Sequence, residues 1–210
     1  MSAANVSVTV YGAAYSVYVR IVRIALHEKG VPYDLVPIDV FADEGLPPDY
    51  LPRHPFGRIP AFEHDGFRLY ETSAITRYVD EAFAGPVLQP RDACERARMS
   101  QIIAMLDNYA YRPMVWDVYV QRVEARLADE ARVAEGLEKA RIFLSALSDI
   151  LVAGHWLTGA EPTLADFHAA PMFALFEEAP EGAALLADFP KIQAWWERIK
   201  TRPAIIATGA

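Results

Sequence analysis

The chain is poor in several things, and each shortage removes a class of function. It holds a single cysteine, Cys94, in 210 residues. A lone thiol excludes an internal disulfide framework and a thiolate metal cluster, and Cys94 reads as an inert thiol. The five histidines show no ligand spacing, so no metal site is expected. Basic charge is also short. Twenty Lys and Arg against 28 Asp and Glu leave a formal net charge of −8, which argues against nucleic acid or an anionic membrane surface as the main partner. No apolar run approaches the roughly 18 residues of a membrane span. Met1 to Val6 lacks the charged and apolar regions of a secretory signal. Low-complexity tracts are absent. With 53% hydrophobic and 23% charged residues, the composition is that of a soluble globular protein, expected in the cytoplasm. The length allows one large domain or two modest ones.

The first eighty-odd residues alternate strand and helix signals. Val6 to Tyr11 alternates apolar and polar side chains and is rich in β-formers. After a turn at Gly12 to Tyr15, Ser16 stands at an N-cap, with Val17, Ile21, Ile24 and Ala25 forming an apolar stripe. Lys29-Gly30 closes that helix, with Pro32 just beyond. Tyr33 to Ile38 reads as a second strand, and Asp39 to Phe56 as irregular chain. Pro60 to Glu63 and Phe67 to Tyr70 pair through Asp65-Gly66, a strong hairpin signal, and Thr72 to Phe83 is helical. The order β-α-β-β-β-α implies a small mixed sheet with helices packed on it, its βαβ unit right-handed.

Ala84 to Arg91, with Gly85, Pro86 and Pro90, reads as a linker, and everything beyond it as helix. Asp92 to about Arg126 is long and is expected to bend at Pro113. Val133, Leu137, Ala140, Leu144, Leu147 and Leu151 make a buried stripe in a helix that Gly154 ends. Thr163 to Asp166 is a capping-box pattern ahead of an apolar helix. Asp188-Phe189-Pro190 opens another helix that runs to about Thr201, with Pro203 past its end. The expected domains are therefore 1–84, α/β; 85–91, linker; and 92–210, all-helical.

Three places carry candidate chemistry. Ser16 is either a plain N-cap or a hydroxyl at the positive end of a helix dipole, where a bound thiol would ionise more readily; Tyr15 and Tyr18 are alternative hydroxyls. Ile59-Pro60 is a candidate cis bond, or a trans proline at the start of an edge strand. A turn there leaves the Ile59 backbone projecting. Glu71-Thr72 ends a strand where a helix begins, as capping residues or as a place to hold a peptide-like anion.

Taken together these residues resemble the cytosolic glutathione transferases of the serine type, phi or theta-like. Tyr11-Gly12 with Ser16, Glu28 to Tyr33, Pro55-Phe56-Gly57-Arg58-Ile59-Pro60-Ala61, Glu71 to Ile75 and Thr163 to Phe167 all match family segments, covering about Val6 to Ala204. The resemblance implies a thioredoxin-like N-terminal α/β domain, an all-α C-terminal helical bundle, a cytoplasmic homodimer, and glutathione as co-substrate with no metal. It implies that Ser16 activates the glutathione thiol and that Ile59, before a cis Pro60, pairs its backbone with the cysteinyl part. Glu71 and Thr72 would hold the γ-glutamyl end, Thr72 replacing the usual serine, while Arg58 and His54 are further glutathione-binding candidates. It departs from the family at Gly45-Leu46, where a basic pair is common, and at His54, where Asn is usual. A small apolar or aromatic electrophile is expected at Tyr15, Tyr109, Met114 and Trp116, within an aromatic run from Asn108 to Tyr119. The expected reaction is conjugation of the glutathione thiolate. Thiol-dependent isomerisation, dehalogenation or peroxide reduction, and a non-catalytic binding role, are the alternatives.

Overall fold

A computed structural model describes residues 7–43, 45–151 and 155–209. Val6 and Gly154, read above as a strand start and a helix end, lie outside the described residues. The chain divides into two compact units, one running to Pro86 and the other from Val87 to Thr208.

The first unit is built on four strands, β1 (Val8–Tyr11), β2 (Asp34–Val36), β3 (Ala61–His64) and β4 (Phe67–Tyr70), in the order β2-β1-β3-β4. β1 and β2 run parallel, and the other neighbours are antiparallel. The two-residue period of β1 survives in the fold, with Val8 and Val10 buried and Tyr11 half-exposed. Helices α1 (Val17–Glu28) and α2 (Thr72–Ala82) pack against each other, and their Ile21, Ile24, Ile75 and Val79 are buried. At the end of α1, Gly30 takes a left-handed φ of 66°. The Val31 N–H then reaches back to the Leu26 carbonyl at 2.9 Å, which satisfies a carbonyl the helix would leave open. Asp65 and Gly66 both carry positive φ, the pair of conformations a two-residue hairpin turn requires.

Two strands differ from the sequence pattern, β2 in length and β3 by a shift of one residue. β2 covers three residues instead of Tyr33 to Ile38, because Pro37 follows with no N–H to give the ladder. β3 starts at Ala61, one residue after Pro60, for the same reason.

The second unit contains α3 (Ala93–Met105), a π-helix (Leu106–Glu124), α4 (Glu130–Ile150), α5 (Leu164–Glu178), α6 (Pro180–Ala187), α7 (Pro190–Ile199) and α8 (Pro203–Ala207). The Asp92 carboxylate caps α3 by accepting from the Cys94 and Glu95 amides at 2.9 and 3.0 Å. The expected single bend at Pro113 is instead a long stretch of wider winding, closed where the Ala125 N–H reaches the Val120 carbonyl at 2.8 Å. Wider turns carry the preceding carbonyls away from the proline ring.

Opposite this segment stands Gly136 of α4. A methyl group on it would meet Asp117 Cβ at 2.8 Å and the Pro113 carbonyl at 3.2 Å. That close approach rotates the buried face of α4. Val133, Ala140, Leu144 and Leu147 are buried as expected, joined by Gly136 and Phe143, while Leu137 and Leu151 stay partly exposed. Pro203 does more than terminate a helix, since it occupies the first turn of α8.

Candidate functional site

Strand register assembles the site. Tyr11 stands opposite Ala61, and Ala61 opposite Tyr70, so the three share one level across the sheet. Whatever follows Tyr11, precedes Ala61 or follows Tyr70 therefore emerges from the same sheet edge. Those residues are the Gly12-to-Ser16 turn, Ile59-Pro60 and Glu71-Thr72. Sequence separations of some fifty residues collapse to neighbouring positions.

The turn after β1 is pressed against the Ile59 loop. A Cβ on Gly12 would stand 2.4 Å from Val19 Cγ2 and 3.2 Å from Ile59 Cβ, so only glycine fits against these side chains. Ser16 is the N-cap of α1 and is half-buried, and its side chain makes no capping bond to its own helix. The hydroxyl is thus unspent at the positive end of a twelve-residue helix. Tyr15, next to it, is exposed and donates its hydroxyl to Asp39 Oδ1 at 3.0 Å.

The Ile59–Pro60 peptide is cis. Because β3 begins at Ala61, the main chain of Ile59 stays outside the ladder and is open to pair with an extended ligand. Tyr50, itself fully buried, fixes this loop from beneath by donating its hydroxyl to the Arg58 carbonyl at 2.7 Å. Burial pushes the Tyr50 phenol up to about 12, so it remains a donor throughout the working pH range.

At the third corner, Glu71 holds a φ of 72°, in the left-handed region that non-glycine residues rarely occupy. This turns its exposed carboxylate out at the start of α2. The Ala74 and Ile75 amides both return to the Glu71 carbonyl, which leaves the Thr72 and Ser73 amides at the helix mouth without an intrahelical acceptor. Thr72 itself is buried.

His54 connects the corners. It is 3% exposed, its ring lies 5.0 Å from that of Tyr70, and its Nδ1 is buried with no partner. Burial lowers its pKa below the ordinary 6.5. The Glu71 carboxylate works against that shift and the Arg58 cation adds to it. The His54 ring therefore feels the charges of both Arg58 and Glu71. Arg58 is exposed.

Of the other expected residues, Tyr109, Met114 and Trp116 all lie on the π-helix of the second unit. Tyr109 is exposed, Trp116 half-exposed and Met114 fully buried in the core. Gly12, named above only within a turn and a matching segment, contributes to the site region, as do Tyr50 and Arg53, which were not singled out. Arg53 lies with its guanidinium 4.7 Å above the Tyr11 ring. Tyr50 lies in a proline-rich stretch with other apolar residues, and its hydrogen bond to Arg58 exists only in the fold.

The N-terminal domain pattern of the glutathione S-transferases matches residues 10–87, and their C-terminal domain pattern matches residues 103–203. The chain belongs to the glutathione S-transferase family. It is 32% identical to glutathione S-transferase F13 of Arabidopsis thaliana, over 93% of this chain and 92% of that one. Among solved structures, glutathione transferase F7 of Populus trichocarpa superposes with a TM-score of 0.85 at 31% identity, covering 96% of this chain and 97% of the other. A theta class glutathione S-transferase from Xanthomonas axonopodis pv. citri, solved with glutathione bound, gives 0.82 at 26% identity, covering 96% of each. The two units are accordingly the thioredoxin-like and all-helical halves of a glutathione S-transferase fold.

Proposed function

We propose that this glutathione S-transferase joins the glutathione thiolate to a small apolar or aromatic electrophile, with Ser16 as the residue that touches the sulfur. The observation that carries the reading is the shared level of Tyr11, Ala61 and Tyr70. It gathers an unspent hydroxyl at one helix N-terminus, an unpaired main-chain edge and a second open helix N-terminus on one side of the sheet. An extended tripeptide carrying a thiol in its middle and an anion at one end fits that sequence of groups.

In this reading the Ile59 N–H and C=O pair with the cysteinyl residue as an added strand would. The Glu71 carboxylate takes the γ-glutamyl ammonium, and the Thr72 hydroxyl and the first amides of α2 take its carboxylate. Arg58 and His54 border the same groove. The Ser16 hydroxyl donates to the sulfur, and with the α1 dipole it favours thiolate, the thiol proton passing to solvent. The thiolate then attacks the electrophile. A carbon–sulfur bond forms as the leaving group departs with its electron pair, and the two reactants are held together through the step. Tyr15 is the poorer candidate for thiol activation, because its hydroxyl already serves Asp39. The apolar wall for the electrophile is assigned to Tyr109 and Trp116 on the π-helix. The protein is further proposed to act as a cytoplasmic homodimer. No helix among the described residues is long and apolar enough to cross a membrane.

The test is Ser16→Ala. Losing a hydrogen bond to a charged sulfur costs about 1.5–3 kcal/mol, so kcat/KM toward a model aryl halide should fall roughly ten- to a hundredfold. Retention on immobilised glutathione should persist. Unchanged turnover would remove Ser16 from the mechanism, and failure of the native protein to be retained and eluted by free glutathione would remove the enzymatic reading.

A further inference from the structure

His54 stands where two corners of the site join. Its main chain closes the turn that leads into the Ile59 edge: the His54 N–H donates to the Tyr50 carbonyl at 3.2 Å, and the His54 carbonyl accepts from the Gly57 N–H at 2.9 Å. Its ring leaves that turn and packs on the other corner. It lies 5.0 Å from the ring of Tyr70, the last residue of β4 and the neighbour of Glu71, while Phe56 meets the two rings edge-on at 6.3 and 6.0 Å. The ring thus bridges the loop that carries Ile59 and the strand end that carries Glu71.

This bridge suits a neutral ring only. The side chain is buried, and Nδ1 makes no hydrogen bond among the described residues. A neutral ring avoids an unpaired donor by carrying its proton on Nε2. Protonation adds an N–H at Nδ1 as well, and a buried donor without an acceptor is costly. The carbonyl of His54 itself acts on the ring only weakly, and it already takes the Gly57 N–H. Nor does nearby charge rescue the protonated form. Glu71, at the start of α2, favours it, but burial outweighs that carboxylate and the Arg58 cation adds to burial. Arg53, next in sequence, is turned to Asp49 and Tyr11, and the β4 neighbour Tyr70 presents its ring. A protonated ring must therefore leave its place on Tyr70 to find water.

We propose that His54 is a positioning residue for glutathione, its neutral ring holding the Ile59 edge and the Glu71 corner at a spacing that one ligand spans. The protonated ring lets the two corners part. Glutathione, which touches both corners at once, binds the neutral form alone, and its binding expels a proton in the acid range. This deepens the glutathione reading above and rests on it.

The experiment measures the affinity of the native full chain for S-methylglutathione by calorimetry between pH 7 and pH 5. This probe has no thiol proton, and its carboxyls and ammonium stay ionised over that range, so the chemistry at Ser16 drops out. The dissociation constant should rise about threefold or more as the pH falls, and by at most about tenfold per pH unit. Titrations at pH 5 in buffers of different ionisation enthalpy should show a net release of protons. In His54→Asn, or His54→Gln should that variant prove unstable, the dissociation constant should be the same at pH 7 and pH 5, with no proton released. A ring that served only to fill space would shift affinity equally at every pH. Constant affinity in the native protein overturns the inference, as does a pH dependence that survives in the variants or a net uptake of protons. Absence of binding at pH 7 defeats the glutathione reading itself, a result distinct from binding that ignores pH.

Discussion

Enclosure of single groups decides much of the chemistry in the first unit. His54 is the case with a measurable signature. Its ring is sealed against Tyr70, and burial, helped by Arg58 and opposed by Glu71, lowers its pKa below 6.5. In the unfolded chain the same ring titrates near its ordinary value, so between the two pKa values the unfolded state holds the extra proton. Stability then falls as pH drops below about 6.5 and levels off once the folded-state value is passed. Replacing His54 by Asn removes that component. The urea midpoint of the native protein should decline between pH 7 and pH 5.5 more steeply than that of His54→Asn. Coincident slopes would mean the ring is already solvated in the fold. Residues of this kind were partly legible. The places of Ser16, Glu71 and Thr72 at helix starts followed from where strand signals yield to helix signals. The weight of Gly12 and Tyr50 did not, because it lies in distances to Ile59 and Arg58 that only the folded register creates.

Elements were legible where their signals are local. The hairpin turn at Asp65-Gly66, the α1 end at Gly30 and the capping pattern at Thr163 each depend on neighbours a few residues away. The winding from Leu106 to Glu124 and the turned face of α4 depend on a contact between Gly136 and the Pro113–Asp117 segment, and periodicity alone is blind to it. The α5 cap shows both kinds of information meeting in one residue. Asp166 Oδ2 accepts from the Thr163 N–H at 2.8 Å and from its hydroxyl at 3.1 Å, as the motif predicts. Its Oδ1 also accepts from the Leu157 N–H at 2.9 Å and from Trp195 Nε1 at 2.8 Å, partners that no local pattern names. Burial pushes the carboxyl pKa up against the pull of these donors. Asp166→Asn keeps the shape but puts an NH₂ group among donors, leaving at least one of them unsatisfied in the core. The expected cost is on the order of 2–4 kcal/mol, read as a lower urea midpoint at unchanged slope. A shift too small to resolve would show that the network can rearrange around the amide.

At the scale of the whole chain, the two-unit plan was visible in the change from mixed strand and helix signals to continuous helix, and in the Gly-Pro stretch between them. Composition could not reveal how firmly that stretch is held at each end. Pro86, the last residue of the first unit, gives its carbonyl to Lys29 Nζ at 2.8 Å. Leu88, buried in the second unit, accepts from the Leu164 N–H at 2.9 Å. Lys29 does more than hold the linker. The same ammonium, nearly inaccessible, reaches the Asp80 carboxylate at 3.1 Å and the Asp80 carbonyl at 3.0 Å, so the ends of α1, α2 and the linker meet on one charge. Gly85 is wedged beside it, with 3.1 Å from a would-be Cβ to the Lys29 carbonyl. Removing one partner of a buried ion pair costs about 3–5 kcal/mol, because the other charge is left in a poor solvent. Lys29→Met should therefore lower the stability by that order, read as a lower urea midpoint, and release the linker from its first-unit anchor. Tryptic cleavage at Arg91, just beyond the linker's second-unit anchor, should speed up severalfold under native conditions, whereas Lys139→Met, which removes an exposed pair with Glu135, should change neither quantity. Equal cleavage rates in the native protein and Lys29→Met would show that the Leu88–Leu164 bond alone keeps the segment in place.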